Sequence, residues 1–232
     1  MITGTIHETL ALTTPSGRSV TVQILTPDGT LPNATEIRKQ EQEWEAKATA
    51  YEQQRLDPML INRSHFAAEV LFLAAQGVQQ KHPGILLSQD LAGRILGVLL
   101  YTLPDPPRRT RGTISLMAID PTYLAGSPGS DQLRGIGTTL TMVVGQIFVA
   151  RDVPEVCLHP LDEAAHRFWQ GRGFPPRTPG GPACIRGPVE VAQLAARCGH
   201  EHPDLPDQGD SLFVGSFEAT ERVRLPRLKG LY

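Results

Sequence analysis

Apolar and polar residues alternate along two short runs near the start of the chain. Ile6, Leu10 and Leu12 mark the first run, and Val20, Val22 and Ile24 the second. With the turn-forming Pro15-Ser16-Gly17 between them, residues 4–25 predict a β-hairpin, closed by Asp28-Gly29 and Pro32. The period then changes. Residues 34–56 are rich in Glu, Lys, Arg, Gln and Ala and predict a helix, with Trp44 and Tyr51 on one inward face. Pro58 breaks that run, and a second helix is expected from Ser64, a suitable N-cap, with Phe66, Val70 and Leu73 on its apolar face. It ends before Pro83.

Strands follow at 84–88 and 94–103, with Leu91-Ala92-Gly93 as their turn. The second strand is apolar almost throughout, which places it centrally in a sheet with both faces covered. A Pro-rich loop carries Arg108, Arg109 and Arg111; such a cluster serves either as a solvated turn or as a phosphate site. Another strand, 113–119, ends at Asp120-Pro121. Leu140, Val143, Val144 and Ile147 recur at helical spacing to about Ala150, and a short strand covers 155–159. Asp162 caps a further helix carrying Ala165, Phe168 and Trp169, which ends at Gly171 and Gly173. Residues 175–188 read as a Pro/Gly-rich loop, 189–197 as a short helix and 212–217 as a last strand.

Composition narrows the setting. The 232 residues are 40% hydrophobic with net charge -2, which suits one globular domain and no long-range attraction for nucleic acid or acidic membranes. We expect residues 175–232 to finish that domain with an insertion, because they hold too few apolar residues for a core of their own. There is no signal-like N-terminus and no apolar run of the roughly 20 residues that span a bilayer. The odd number of cysteines, Cys157, Cys184 and Cys198, shows no pairing pattern and favours a reducing, cytoplasmic compartment. Cys184, Cys198, His200 and His202 are ligand types for zinc, but the C-x-H-x-H spacing matches no standard site, so no metal is expected.

The chemistry centres on Gln132-Leu133-Arg134-Gly135-Ile136-Gly137-Thr138, which opens a helix. Glycines let the backbone turn its N–H groups one way, and a helix start adds unsatisfied donors and partial positive charge. The result is an anion cradle suited to phosphate or pyrophosphate; the alternative is a glycine pair in a loop without a ligand. A dinucleotide fingerprint does not fit, because Leu140 takes its third glycine and no strand immediately precedes it. No Gly-Lys-Ser/Thr follows, so a P-loop does not fit either.

Two motifs together resemble the GCN5-related N-acetyltransferase family. Gln132-x-x-Gly135-x-Gly137 is similar to that family's acyl-CoA pyrophosphate motif. Asp162-x-x-Ala165-x-x-Phe168-Trp169-x-x-x-Gly173-Phe174 is similar to its second motif. The resemblance covers residues 84–174 best. It implies an α/β (α+β) fold, a mixed, mostly antiparallel sheet flanked by helices with two splayed central strands, 113–119 and 155–159. It also implies acetyl transfer from acetyl-CoA to an amine of a small molecule or protein. Backbone groups of Met117, Ala118 and Ile119 would meet pantetheine, and Leu133 to Thr138 the pyrophosphate, with Gln132 starting the turn. Asp162, Ala165 and Phe168 belong to the second motif on the cofactor side. Relatives often form homodimers, and no feature here fixes the oligomeric state or the acceptor.

Direct transfer needs the acceptor amine neutral. A lysine-like amine of pKa about 10.4 costs roughly 4.6 kcal/mol to deprotonate at pH 7, so the base matters most. His159, at the end of the second splayed strand, is the first candidate, because imidazole titrates near neutrality; it serves equally as a mere strand end. Asp120 and Glu155 are weaker candidates. Trp169 stands where the family keeps a tyrosine acid, and an indole N–H donates a hydrogen bond but not a proton. The alternative is therefore a non-catalytic acyl-CoA-binding regulatory module of the same fold.

Overall fold

The computed structural model describes residues 8–14, 16–27, 31–105, 110–129, 133–175, 182–197 and 214–215. The first alternating runs fold as a hairpin of β1 (Glu8–Thr13) and β2 (Ser19–Leu25) in antiparallel register. Gly17, at φ +84°, takes the left-handed position of the turn, and its N–H bonds the Thr14 carbonyl.

Helix α1 (Ala34–Gln53) starts at a capping box of Asn33 and Glu36 and buries Ile37, Trp44, Ala48 and Tyr51. Helix α2 (Pro58–Gln79) begins nearly two turns earlier than Ser64. Asp57 caps it and Pro58 is its first residue, where a missing N–H costs nothing. The proline thus starts this helix. Ser64 lies buried within it, its hydroxyl donating to the Leu60 carbonyl at 2.8 Å. The two helices pack against each other.

Along the main path of the sheet follow β3 (Ile85–Asp90), β4 (Ile95–Thr102), β5 (Gly112–Ile119), β6 (Glu155–Leu158) and β7 (Ala183–Arg186), with a short β8 (Val214–Gly215) paired to β5 off that path. The sheet runs β1-β2-β3-β4-β5-β6-β7, and every neighbouring pair is antiparallel except the parallel β5–β6. The fold is therefore mixed α/β with a mostly antiparallel sheet, as expected. Helix α3 (Ile136–Ala150) makes the β5–β6 crossover; α4 (Glu163–Gly171) and α5 (Pro188–Arg197) follow β6 and β7.

Strand β4 is buried at five consecutive positions, Ile95 to Leu99, so both its faces are covered. Helices α2 and α3 both pack on β3, β4 and β5 and hence take opposite faces. Gly97 permits the close approach of α3: a Cβ there would stand 2.7 Å from Ile136 Cγ2.

Two expectations change at the far edge. The Pro/Gly-rich stretch contains a strand, β7, whose four residues are paired along β6. Its propensity signal is short, and its partner supplies the order. Cys157 faces Cys184 across that pair, with Cα atoms 4.1 Å apart, and the two form a disulfide. The expectation of unpaired thiols is thus overturned for these two, and the cysteine count no longer argues for a reducing compartment. Cys184 is also removed from the zinc-type set, whose other members lie outside the described residues. No helix among the described residues is long and apolar enough to cross a membrane.

Candidate functional site

Strands β5 and β6 are joined over only three pairs, Gly112–Val156, Thr113–Cys157 and Ile114–Leu158. Strand β5 continues to Ile119, whereas β6 ends at Leu158. On its other edge β5 carries a bulge: Leu100 faces Leu116 and Tyr101 faces Ile114, leaving Ser115 as the extra residue. A bulge bends its strand and increases local twist. It falls one residue beyond the last β5–β6 pair. The two strands part there, and the edge of β5 beyond Ile114 is not paired by β6.

The glycine turn stands at the carboxyl end of β5, because a crossover helix after a strand begins at that strand's carboxyl end. Gly135 is the N-cap of α3, left-handed at φ +91°, and no side chain caps the helix. The start of α3 is held by packing: Leu133, Ile136, Gly137 and Leu140 are buried, and the Thr141 hydroxyl lies 4.0 Å from Met117 Sδ on β5. First-turn N–H groups without a side-chain cap make a natural anion site. Arg134 is exposed and Thr138 half-buried beside it. Gln132 lies outside the described residues, as do Arg108 and Arg109.

Sequence reasoning missed Arg172. From the end of α4 its Nη2 donates to Thr138 Oγ1 at 2.5 Å, and its guanidinium lies 3.1 Å from the Phe168 ring centroid. A cation is thereby tied to the first turn of α3. Its place just before Gly173 in the second motif was the available signal.

Met117, Ala118 and Ile119 are buried on β5. His159 is half-buried and follows the last residue of β6, where β6 stops pairing with β5. Glu155 begins β6, about 13 Å back along the strand, and its carboxylate accepts from Arg186 Nε at 2.7 Å. Asp120 is fully buried, with Lys47 Nζ at 2.8 Å and Arg94 Nη2 at 2.7 Å. Burial pushes this carboxyl up, but Lys47 and Arg94 outweigh it and hold the pKa below the ordinary value. Asp120 also accepts from Thr122 N–H, so it is an anchored ion-pair member, a poor proton acceptor.

Asp162 caps α4, accepting from Ala165 N–H at 2.8 Å, and receives Arg63 Nη2 at 2.7 Å. Ala165 is buried and Phe168 partly so. Trp169 is fully buried, edge-on to Phe168 and Phe174 at centroid distances of 4.9 and 5.4 Å. Its indole N–H has no hydrogen-bond partner among the described residues. A cavity of about 470 Å³ lined by Leu103, Pro104, Thr110, Arg151, Asp152 and Pro154 lies at the opposite end of β5 from the glycine turn.

No protein-family model matches the chain. No curated protein matches it either. A solved structure with some likeness is an acetyltransferase of the GNAT family from Listeria monocytogenes, 8% identical, covering 76% of this chain and 99% of its own, at a TM-score of 0.45.

Proposed function

We propose that the chain is an acetyl-CoA-dependent N-acetyltransferase, moving acetyl directly to an amine of a small molecule or protein. The two sequence motifs support this reading. The observation that carries it is the uncapped, glycine-led start of α3 at the carboxyl end of β5, where β5 and β6 part. In this reading the N–H groups of Leu133 to Thr138 bind the pyrophosphate, and the β5 edge from Met117 to Ile119 binds the amides of pantetheine.

The amine nitrogen attacks the thioester carbon, and a backbone N–H where the two strands part holds the oxyanion. The N–C bond forms, the C–S bond breaks and CoA leaves as thiolate. The ammonium's proton passes to a base. His159 takes that role because it stands where β5 and β6 part, whereas Asp120 is locked in ion pairs and Glu155 lies at the other end of β6. The thiolate takes its proton from water, since Trp169 has none to give.

A second reading, an acyl-CoA-binding module without catalysis, is favoured by one observation: Trp169, in the family's tyrosine position, is wholly buried between two aromatic rings. Calorimetry with acetyl-CoA tests the shared part. Wild type should bind at micromolar concentration and Gly137→Asp should not. An aspartate in the first turn suits the helix dipole but repels a pyrophosphate. Release of CoA thiol in an amine screen separates the enzyme from the binding module. Absence of affinity for acetyl-CoA in well-folded wild type, and equally in variants whose C-terminal strand is displaced from β5, overturns both.

A further inference from the structure

Leu116 and Met117 are paired on both edges. On one side they face Leu100 and Leu99 of β4. On the other they face Gly215 and Val214 of a short antiparallel strand, β8 (Val214–Gly215). Strand β6 does not fill that second edge, because its pairing with β5 stops at Ile114. The edge freed by the parting of β5 and β6 is therefore the one β8 occupies. Val214 and Gly215 lie beyond α5 in sequence, so a distal strand takes the edge that β6 leaves.

This edge is also the one needed for acyl-CoA. Pantetheine is an extended chain carrying two amides, each with an N–H donor and a carbonyl acceptor. It offers a strand edge the same groups as a peptide does. The backbone N–H and carbonyl of Met117 cannot serve Val214 and a pantetheine amide on the same edge at once.

We infer that the C-terminal strand is an internal competitor of the acyl-CoA arm, so that cofactor binding requires β8 to leave β5. The inference rests on the acyl-CoA reading above. Among the described residues β8 spans two positions and pairs with β5, and a ladder of two pairs opens at low cost. A site closed for part of the time binds with an affinity reduced by the fraction of molecules that are open. Any partner that captured the tail would therefore raise acyl-CoA affinity without touching the glycine turn.

The test uses the full chain with Val214→Pro and, separately, Gly215→Pro. Val214→Pro removes the N–H of the residue that faces Met117, and at either position the fixed φ of proline disfavours the ladder. Acetyl-CoA affinity is measured by calorimetry on wild type and both variants. Hydrogen exchange of the peptide spanning 212–217 is followed in wild type with and without saturating acetyl-CoA. The expected result is at least tenfold tighter binding in the variants, and loss of protection in the wild-type peptide when acetyl-CoA binds. Variants that bind but wild type that does not is the extreme form of the same result. Unchanged or weaker affinity in the variants, or a tail that stays protected with acetyl-CoA bound, overturns the inference and leaves the acyl-CoA reading standing. Absence of binding in wild type and both variants overturns the two together.

Discussion

Lys47 Nζ lies 2.8 Å from Asp120 Oδ1 and joins α1 to the end of β5 across 73 positions of sequence. Arg94 reaches the other oxygen at 2.7 Å. This fully buried carboxylate fixes the point where β5 hands over to the segment that becomes the glycine turn. Its two cations keep side-chain exposures of 29% and 39%, so the loss on breaking the cluster falls below that of a fully buried pair.

Asp120→Asn should therefore destabilise the fold by about 2–3 kcal/mol, or roughly 5–10 °C in Tm for a chain of this size. The pH dependence has a definite sign. The folded pKa is lowered, so the stabilisation is present above the unfolded carboxyl value of about 3.9 and is lost as pH falls further through the folded value. Thermal melts of wild type between pH 6 and 2 should fall steeply below about pH 4, and Asp120→Asn should show a shallower fall. Parallel curves for the two proteins would mean that Asp120 is not the titrating anchor.

The disulfide gives a second expectation. Cys157 and Cys184 close a loop of 27 positions, for which the chain-entropy account gives about 3.5 kcal/mol. Dithiothreitol should lower the Tm of wild type by roughly 7–14 °C. The double variant Cys157→Ala, Cys184→Ala should melt near reduced wild type and be indifferent to reductant. Thiol titration of unfolded, unreduced protein should find only Cys198. Three free thiols with no response to reductant would dismiss the bond.

The parts legible in the sequence are those whose cause is local. Alternation at Val20, Val22 and Ile24 marked β2, the apolar run of 95–103 marked a central strand, and Gly135 marked the start of α3. What stayed hidden depends on a distant partner. Strand β7 is four residues ordered by β6. The pairing of Cys157 with Cys184 follows from that register alone. The ion pairs of Asp120 were not legible because Lys47 and Arg94 arrive from α1 and the start of β4. Pro58 was misread by a local rule with two senses: proline stops a helix in its interior and starts one at its first position.

The base can be tested apart from cofactor binding. His159 follows the last β6 residue paired with β5, beyond which the two strands separate, while the glycine turn that would hold the pyrophosphate belongs to α3. If His159 takes the amine's proton, His159→Ala should lower turnover at least tenfold, within the 10²–10⁴ span of general-base effects or just below it, with acetyl-CoA affinity nearly unchanged. The loss should shrink as pH rises toward the amine's own pKa of about 10.4, because the neutral amine then needs no base. A merely structural role would instead weaken binding or melting temperature and give the same fractional loss at every pH. A pH–rate profile of wild type and His159→Ala with an amine acceptor, read beside acetyl-CoA calorimetry, distinguishes the two. Equal rates at neutral pH would remove His159 from the mechanism and leave solvent, or an amine of low pKa, to carry the proton.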